Sequence, residues 1–254
     1  HLLDRGDPDA AHVIEAVFRD EGIALELGAK VTRVSKDGGD LVVALEGTEL
    51  RGSHLLVAVG RRPNTDDLGC EASGIALDRA GYIMADDYYR TSAPGVRAVA
   101  DVLGGPQFTH VSWDDHRILF DLLMERSARG RSGRFIPHTT FVDPQVAGVG
   151  LTEAEAKAAG VAYEVATMPF AEVARAQEVG ETAGIMKVLI DPATERVLGA
   201  TIVGSDAGEL IHIFVALMQA RASVRAIVDS EAVHPTYAEG VQSLVMRLPR
   251  FALS

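Results

Sequence analysis

Six residues near the C-terminal end of the sequence, His234-Pro235-Thr236-Tyr237-Ala238-Glu239, combine the side chains and the spacing that proton transfer needs. Proline disfavours helical backbone for the residue before it, so His234 is expected in an extended conformation. Thr236 can then cap a helix over residues 237–247, with Glu239 on its first turn and near enough to reach back to the imidazole. A histidine held on a turn, with a carboxylate to fix its tautomer, is an acid/base group. The same spacing, Thr236-x-x-Glu239, is also a capping box, which needs no catalysis, and on spacing alone that structural role is the commoner one.

Two other stretches carry chemistry. Val99-Ala100-Asp101 closes a short apolar segment, and an Asp at the C-terminal end of a strand is placed to accept a hydrogen bond from a ligand hydroxyl. Eight residues on, Thr109 is expected to open a helix over 108–125, capped by Thr109 or Ser112, whose first amides favour an anionic group. The stretch Arg175 to Lys187, with Glu181, Thr182 and Gly184, reads as a surface loop of compensating charges followed by a strand. Cys70 is the sole cysteine; it excludes an intrachain disulfide or a CxxC pair and reads as structural. No metal-ligand cluster is expected.

These groups must be positioned by a chain of 254 residues that is 47% hydrophobic, enough for one large domain or two smaller ones. The net charge of −12 argues against a nucleic-acid partner. No apolar run is long enough for a transmembrane helix, and no secretory signal is visible. The arginine-bearing stretch 126–134 reads as an exposed linker, with Ser127–Gly133 at its centre. Upstream, a helix is expected over 9–21 and strands over 23–27, 29–36, 41–46 and 49–51. The continuous apolar run His54–Gly60 reads as a buried parallel strand. Beyond Phe135, segments 138–141, 145–150, 162–169, 185–191 and 196–203 alternate like antiparallel strands. Helices are expected after Thr152 and over 206–220, 224–228 and 237–247. The helix near 209–220 is apolar on much of its surface, as for burial on two sides. The chain begins with His1 and reads as a piece of a longer polypeptide.

In order along the chain, Val57-Ala-Val-Gly60-Arg61-Arg-Pro63-Asn64, Val96-Arg-Ala-Val-Ala100-Asp101-Val102, Gln107-Phe-Thr-His-Val-Ser112, Phe141-x-Asp-Pro144-x-Val-Ala147-x-Val-Gly150, Leu198-Gly-Ala200-x-Ile-Val-Gly204 and His234-Pro-Thr-x-x-Glu239 resemble the C-terminal half of a class I pyridine nucleotide-disulfide oxidoreductase. That family includes dihydrolipoamide dehydrogenase, glutathione reductase and mercuric reductase. The resemblance implies an α/β remnant of FAD- and NAD(P)-binding domains followed by an α+β dimerisation domain, an antiparallel sheet flanked by helices. It divides the chain into 1–62 (end of the NAD(P)-binding domain), 63–133 (second FAD-binding segment) and 134–254 (interface domain).

It also implies roles. Gly60 would approach the nicotinamide dinucleotide, Asp101 would bind FAD, and Gln107, Phe108, Thr109 and His110 would line the flavin. His234, oriented by Glu239, would serve the redox cysteines of the partner subunit in a cytoplasmic homodimer that uses FAD and NAD(P)H on a small-molecule disulfide or metal substrate. The sequence departs from the family pattern at Ala100, where a glycine is usual, and at Ala232, where dihydrolipoamide dehydrogenases often carry a second histidine. The family's CxxxxC pair and GxGxxG fingerprints are not in this stretch, so this chain alone is expected to be inactive. Two rival expectations are a non-catalytic dimerisation module and a flavoprotein oxidase relative without the cysteine pair.

Overall fold

The computed structural model describes residues 1–4, 6–127 and 129–251; Arg5, Ala128 and residues 252–254, which fall in the expected N-terminal loop, linker and terminal segment, lie outside the described residues. The elements follow in the order α1 (Pro8–Asp20), β1 (Val31–Asp37), β2 (Asp40–Leu45), β3 (Glu49–Gly52), α2 (Thr109–Leu123), β4 (His138–Thr140), β5 (Val146–Gly150), α3 (Glu153–Ala158), β6 (Glu164–Pro169), α4 (Ala174–Val179), β7 (Ile185–Ile190), β8 (Val197–Val203), α5 (Ala207–Ala220), α6 (Arg225–Val228) and α7 (Ala238–Val245). They form two compact units, one of residues 1–51 with 135–254, the other of residues 52–134. Their boundary after Arg134 lies one residue from the division expected at 133/134, while residues 1–51 group with the C-terminal sheet.

In the first unit, strands run β4-β5-β8-β7-β6, antiparallel throughout, beside a separate sheet β1-β2-β3. Alternate residues of a strand face opposite sides, and the sheet uses both. Ala147, Met186 and Ile202 belong to the core that includes Phe214 of α5 and Leu244 of α7. Val146 and Val203, with Ile185, pack instead with Ala10 and Ile14 of α1. Large side chains such as Phe170, Phe214 and Ile202 are fully buried, and each contributes about 1.5–3 kcal/mol by leaving water. α5 buries Ala207, Leu210, Ile211, Phe214 and Met218 on one stripe, while Ile213, Val215 and Leu217 are half-buried.

Lys187, two residues after Ile185, lies on the α1 side and is only 3% exposed. The strand expected over 185–191 is β7, an interior strand between β8 and β6, and the burial of its lysine is what the sequence left unread. Its ammonium reaches both Asp7 carboxylate oxygens at 3.0 Å, contacts Asp9, and lies 3.6 Å from Glu153. Asp7 also caps α1 by accepting from the Asp9 amide, with Pro8 as the first helical residue. Burial acts to lower the Lys187 pKa, but the bonds to Asp9 and Asp7 outweigh it and hold the group above its usual value. α3 opens with the full capping box, Thr152 and Glu155 bonding each other's backbone. The β7–β8 turn, held by Asp191 accepting from Ala193 and Thr194, presents Glu195 to Arg225 at 2.7 Å and Arg250 at 3.0 Å.

The second unit holds α2 and a long run of turns joined by isolated bridges, Leu77 with Ile83 and Arg90 with Arg97. Residues 54–60 are not the buried parallel strand expected. A strand takes its hydrogen bonds from neighbours, and among the described residues none pairs with this run; Leu56 is 90% and Val59 92% exposed. Residues 23–27 are likewise unpaired. The described part of 127–133 holds no helix or strand and ends where the two units part, but it is tied to the second unit. Arg129 pairs with Asp114 at 2.7 Å, the Ser132 amide donates to Asp87 at 2.7 Å, and Arg131 donates to the Ala85 carbonyl. α2 begins after Phe108 with no side-chain cap, so neither Thr109 nor Ser112 plays that part.

Replacing Asp7 by Ala removes two hydrogen bonds from the buried Lys187 ammonium together with the cap of α1, and is expected to cost about 3–5 kcal/mol, read from the urea midpoint. The double change Asp7→Ala with Lys187→Met should recover most of that loss. Arg225, with Ser223 and Arg250, holds the Glu195 carboxyl down at about 2 from its usual 4.5. Its folded-state pKa is depressed, so its contribution is present above pH 4.5 and lost as pH falls toward 2. Glu195→Gln should flatten that part of an acid-unfolding curve.

Candidate active site

The Glu239 carboxylate serves two partners at once. Its Oε1 accepts from the Thr236 amide at 3.1 Å while the Glu239 amide donates to Thr236 Oγ1 at 3.2 Å. Those reciprocal bonds are a capping box, with Thr236 two residues before α7 begins at Ala238. Its Oε2 lies 2.9 Å from His234 Nδ1. An ionised carboxylate only accepts, so Nδ1 carries the proton and Nε2 is left as the basic nitrogen. Both readings of the motif therefore hold together. Glu239 is 18% exposed and His234 70%, so a group fixed from behind presents its ring to solvent.

The turn is held on every side. Thr236 Oγ1 donates to the Val233 carbonyl at 2.7 Å. Tyr237 stacks on the buried Phe170 ring, with centroids 5.6 Å apart. Gln242, one turn into α7, donates to the carbonyls of Ile227 and Ser230 at 3.0 and 2.6 Å. The peptide between His234 and Pro235 is cis. α7 ends at Val245, two residues short of the expected end at Arg247.

The second unit carries the other candidate residues. Asp101 is exposed, in a single 3-10 turn at Ala100–Leu103. Ala100 adopts φ 66°, a left-handed conformation that an L side chain resists. The departure at this position thus places a methyl group where the backbone calls for glycine. Gly104 (φ 70°) packs so that an added Cβ would lie 3.2 Å from the Tyr82 ring, whereas one at Gly105 would meet open space. Gln107 donates to the Tyr82 hydroxyl at 3.1 Å. Phe108 and His110 stack at 5.2 Å across the start of α2, where Thr109 is the first helical residue. Gly60 is exposed, with nothing within 4 Å of a Cβ built on it.

Three residues of this unit escape the sequence reading. Asp115 is 2% exposed and accepts from the Tyr89 hydroxyl and from the Ala100 amide, each at 2.8 Å. Arg134 pairs with it at 2.8 Å. Burial and the Asp115 carboxylate push the Tyr89 phenol well above its usual range, so it stays a donor. The readable signal is spacing: Val111, Asp115 and Ile118 share one helical face, and all three are buried.

Two family models match, the pyridine nucleotide-disulphide oxidoreductase domain over residues 1–115 and the dimerisation domain of the same family over residues 136–245. The chain belongs to the class I pyridine nucleotide-disulfide oxidoreductases. It is 35% identical to the probable pyridine nucleotide-disulfide oxidoreductase RclA of Escherichia coli (strain K12), over 96% of this chain and 55% of that protein. It is 33% identical to the dihydrolipoyl dehydrogenase of Thermus scotoductus, over 99% of this chain and 56% of the relative. The solved structure of the HOCl-induced flavoprotein disulfide reductase RclA superimposes with a TM-score of 0.91 at 34% identity, over 96% of this chain and 57% of that one. The chain thus spans about half the length of the relatives it matches. No described helix is long and apolar enough to cross a membrane.

Ala100→Gly is expected to stabilise the second unit by about 1 kcal/mol, because glycine takes a positive φ without the Cβ penalty. A shift of the urea midpoint in the other direction would count against strain at this position.

Proposed function

We propose that this chain is the C-terminal portion of an FAD-dependent NAD(P)H:disulfide oxidoreductase, acting as a cytoplasmic homodimer on a small-molecule disulfide or metal substrate. In this reading residues 1–62, 63–133 and 134–254 supply the end of the NAD(P) domain, the second flavin segment and the interface domain. The single observation that carries it is the 2.9 Å contact from His234 Nδ1 to Glu239.

The dyad does ordinary acid/base work. Nε2 of His234 takes the proton from an attacking thiol; the thiolate attacks a disulfide sulfur, the S–S bond breaks, and the leaving thiolate takes the proton back. In this reading the redox cysteine pair is that of the partner subunit, and Cys70, single and buried, is no part of it. FAD, when bound, supplies two-electron transfer between NAD(P)H and that pair.

The residues of the second unit fit such a group. Positive-φ backbone at Ala100, Gly104 and Gly105 lets the chain approach closely, and Gly105 has open space before it. Asp101 would accept from ribityl hydroxyls, and Gln107, Phe108, Thr109 and His110, at the start of α2 with no side-chain cap, would line the isoalloxazine. Gly60, with open space around it, would lie beside the nicotinamide dinucleotide.

In the full polypeptide that carries this chain, His234→Ala should slow thiol-disulfide exchange about 10²- to 10⁴-fold and leave flavin reduction by NAD(P)H unchanged in stopped flow. Equal loss in both half-reactions would refute the assignment. Glu239→Gln separates the two roles of the carboxylate, because glutamine still completes a capping box but cannot lock the His234 tautomer as an anion. Melting temperature should hold while exchange slows.

A further inference from the structure

The carboxylate of Asp115 lies inside the second unit, yet one of its oxygens is given to the Ala100 amide, the first residue of the turn that carries Asp101. Its other oxygen takes the Tyr89 hydroxyl and one Arg134 nitrogen. Tyr89 is fully buried and Arg134 nearly so. Asp114, one residue earlier on α2, secures Arg134 again at 3.1 Å and Arg129 at 2.7 Å. Three separate pieces of chain, at Tyr89, Ala100 and Arg134, therefore converge on one side chain of α2.

The Ala100 bond has a particular consequence. A non-glycine residue at φ 66° leaves that conformation unless its surroundings hold it. A charge-assisted hydrogen bond to the amide of that same residue supplies the hold.

We propose that Asp115 is a positioning residue for flavin binding: by holding the Ala100 amide it fixes the left-handed turn that sets Asp101 against the cofactor. Asp115 itself touches no ligand. Tyr89 and Arg134 keep its carboxylate buried and aimed. This rests on the flavin reading of residues 100–110 given above.

The test uses the full polypeptide freed of flavin, with the Kd for FAD read from fluorescence quenching and stability from the urea midpoint. Asp115→Ala should weaken FAD about 10- to 100-fold, the worth of one charge-assisted hydrogen bond. Asp115→Asn keeps a side-chain oxygen for the Ala100 amide but loses the ion pair with Arg134. It should return FAD affinity to within about threefold of the unaltered protein while stability stays low. Ile118→Ala, on the same buried face of α2, controls for destabilisation alone and should leave FAD affinity near normal. Loss of affinity in step with stability across all three variants would overturn the proposal, as would Asp115→Ala binding FAD normally. Failure of the unaltered protein to bind FAD would instead bring down the flavin reading beneath it.

Discussion

A lysine in the middle of a sheet constrains the first unit more than any other single group. Lys187 lies among apolar neighbours on a strand whose interior residues are all buried. A bare ammonium there would be far too costly, so the face of the sheet beside it has to be covered by something anionic. α1 meets that demand with its cap, Asp7, and its first turn, Asp9, while α3 adds Glu153. The helix is thereby fixed at its N-terminus by charge and along its length by Ala10 and Ile14. With that face covered, the opposite face is left for α5 and α7, and α7 is the element that carries Glu239 toward His234.

The two candidate regions use one device at different depths. In each, a carboxylate on the first or second turn of a helix reaches back to the segment that precedes the helix. Glu239 bonds the Thr236 amide and the His234 ring from α7. Asp115 bonds the Ala100 amide from α2. Glu239 remains partly accessible and works on an exposed imidazole ring, whereas Asp115 is buried and works on a backbone conformation. Local helix chemistry in this way sets the geometry of residues that would otherwise belong to loops.

The C-terminal sheet was readable because its strands alternate, and its hairpin turn was readable because Asp191-Pro192-Ala193-Thr194 has turn chemistry. The His234–Glu239 contact was readable because both residues sit within one turn of a proline-defined start. Residues 54–60 misled for a physical reason: an apolar run specifies a wish to be buried, not the neighbour that does the burying. Lys187 lies in the strand expected over 185–191, but its burial was not readable, because a charged residue in a pattern is assumed to face water and its partners are far away in sequence. Asp115 was hidden in the same manner, its role visible only once the turn at Ala100 and the Arg134 side chain come beside it. The cap of α2 was misplaced since Thr109 and Ser112 both have suitable side chains, while the backbone turns at Phe108.

The Asp7–Lys187 bond joins residues 180 positions apart. A ribosome releases the N-terminal helix long before the strand that needs it, so α1 must wait, with its anionic cap solvated, until β7 emerges and pairs with its neighbours. Closing a loop of that span is an entropic hurdle met late, after the sheet exists to reward it. α1 is therefore among the last of these elements to find its place, and for that interval its apolar side stands open to whatever else is in solution.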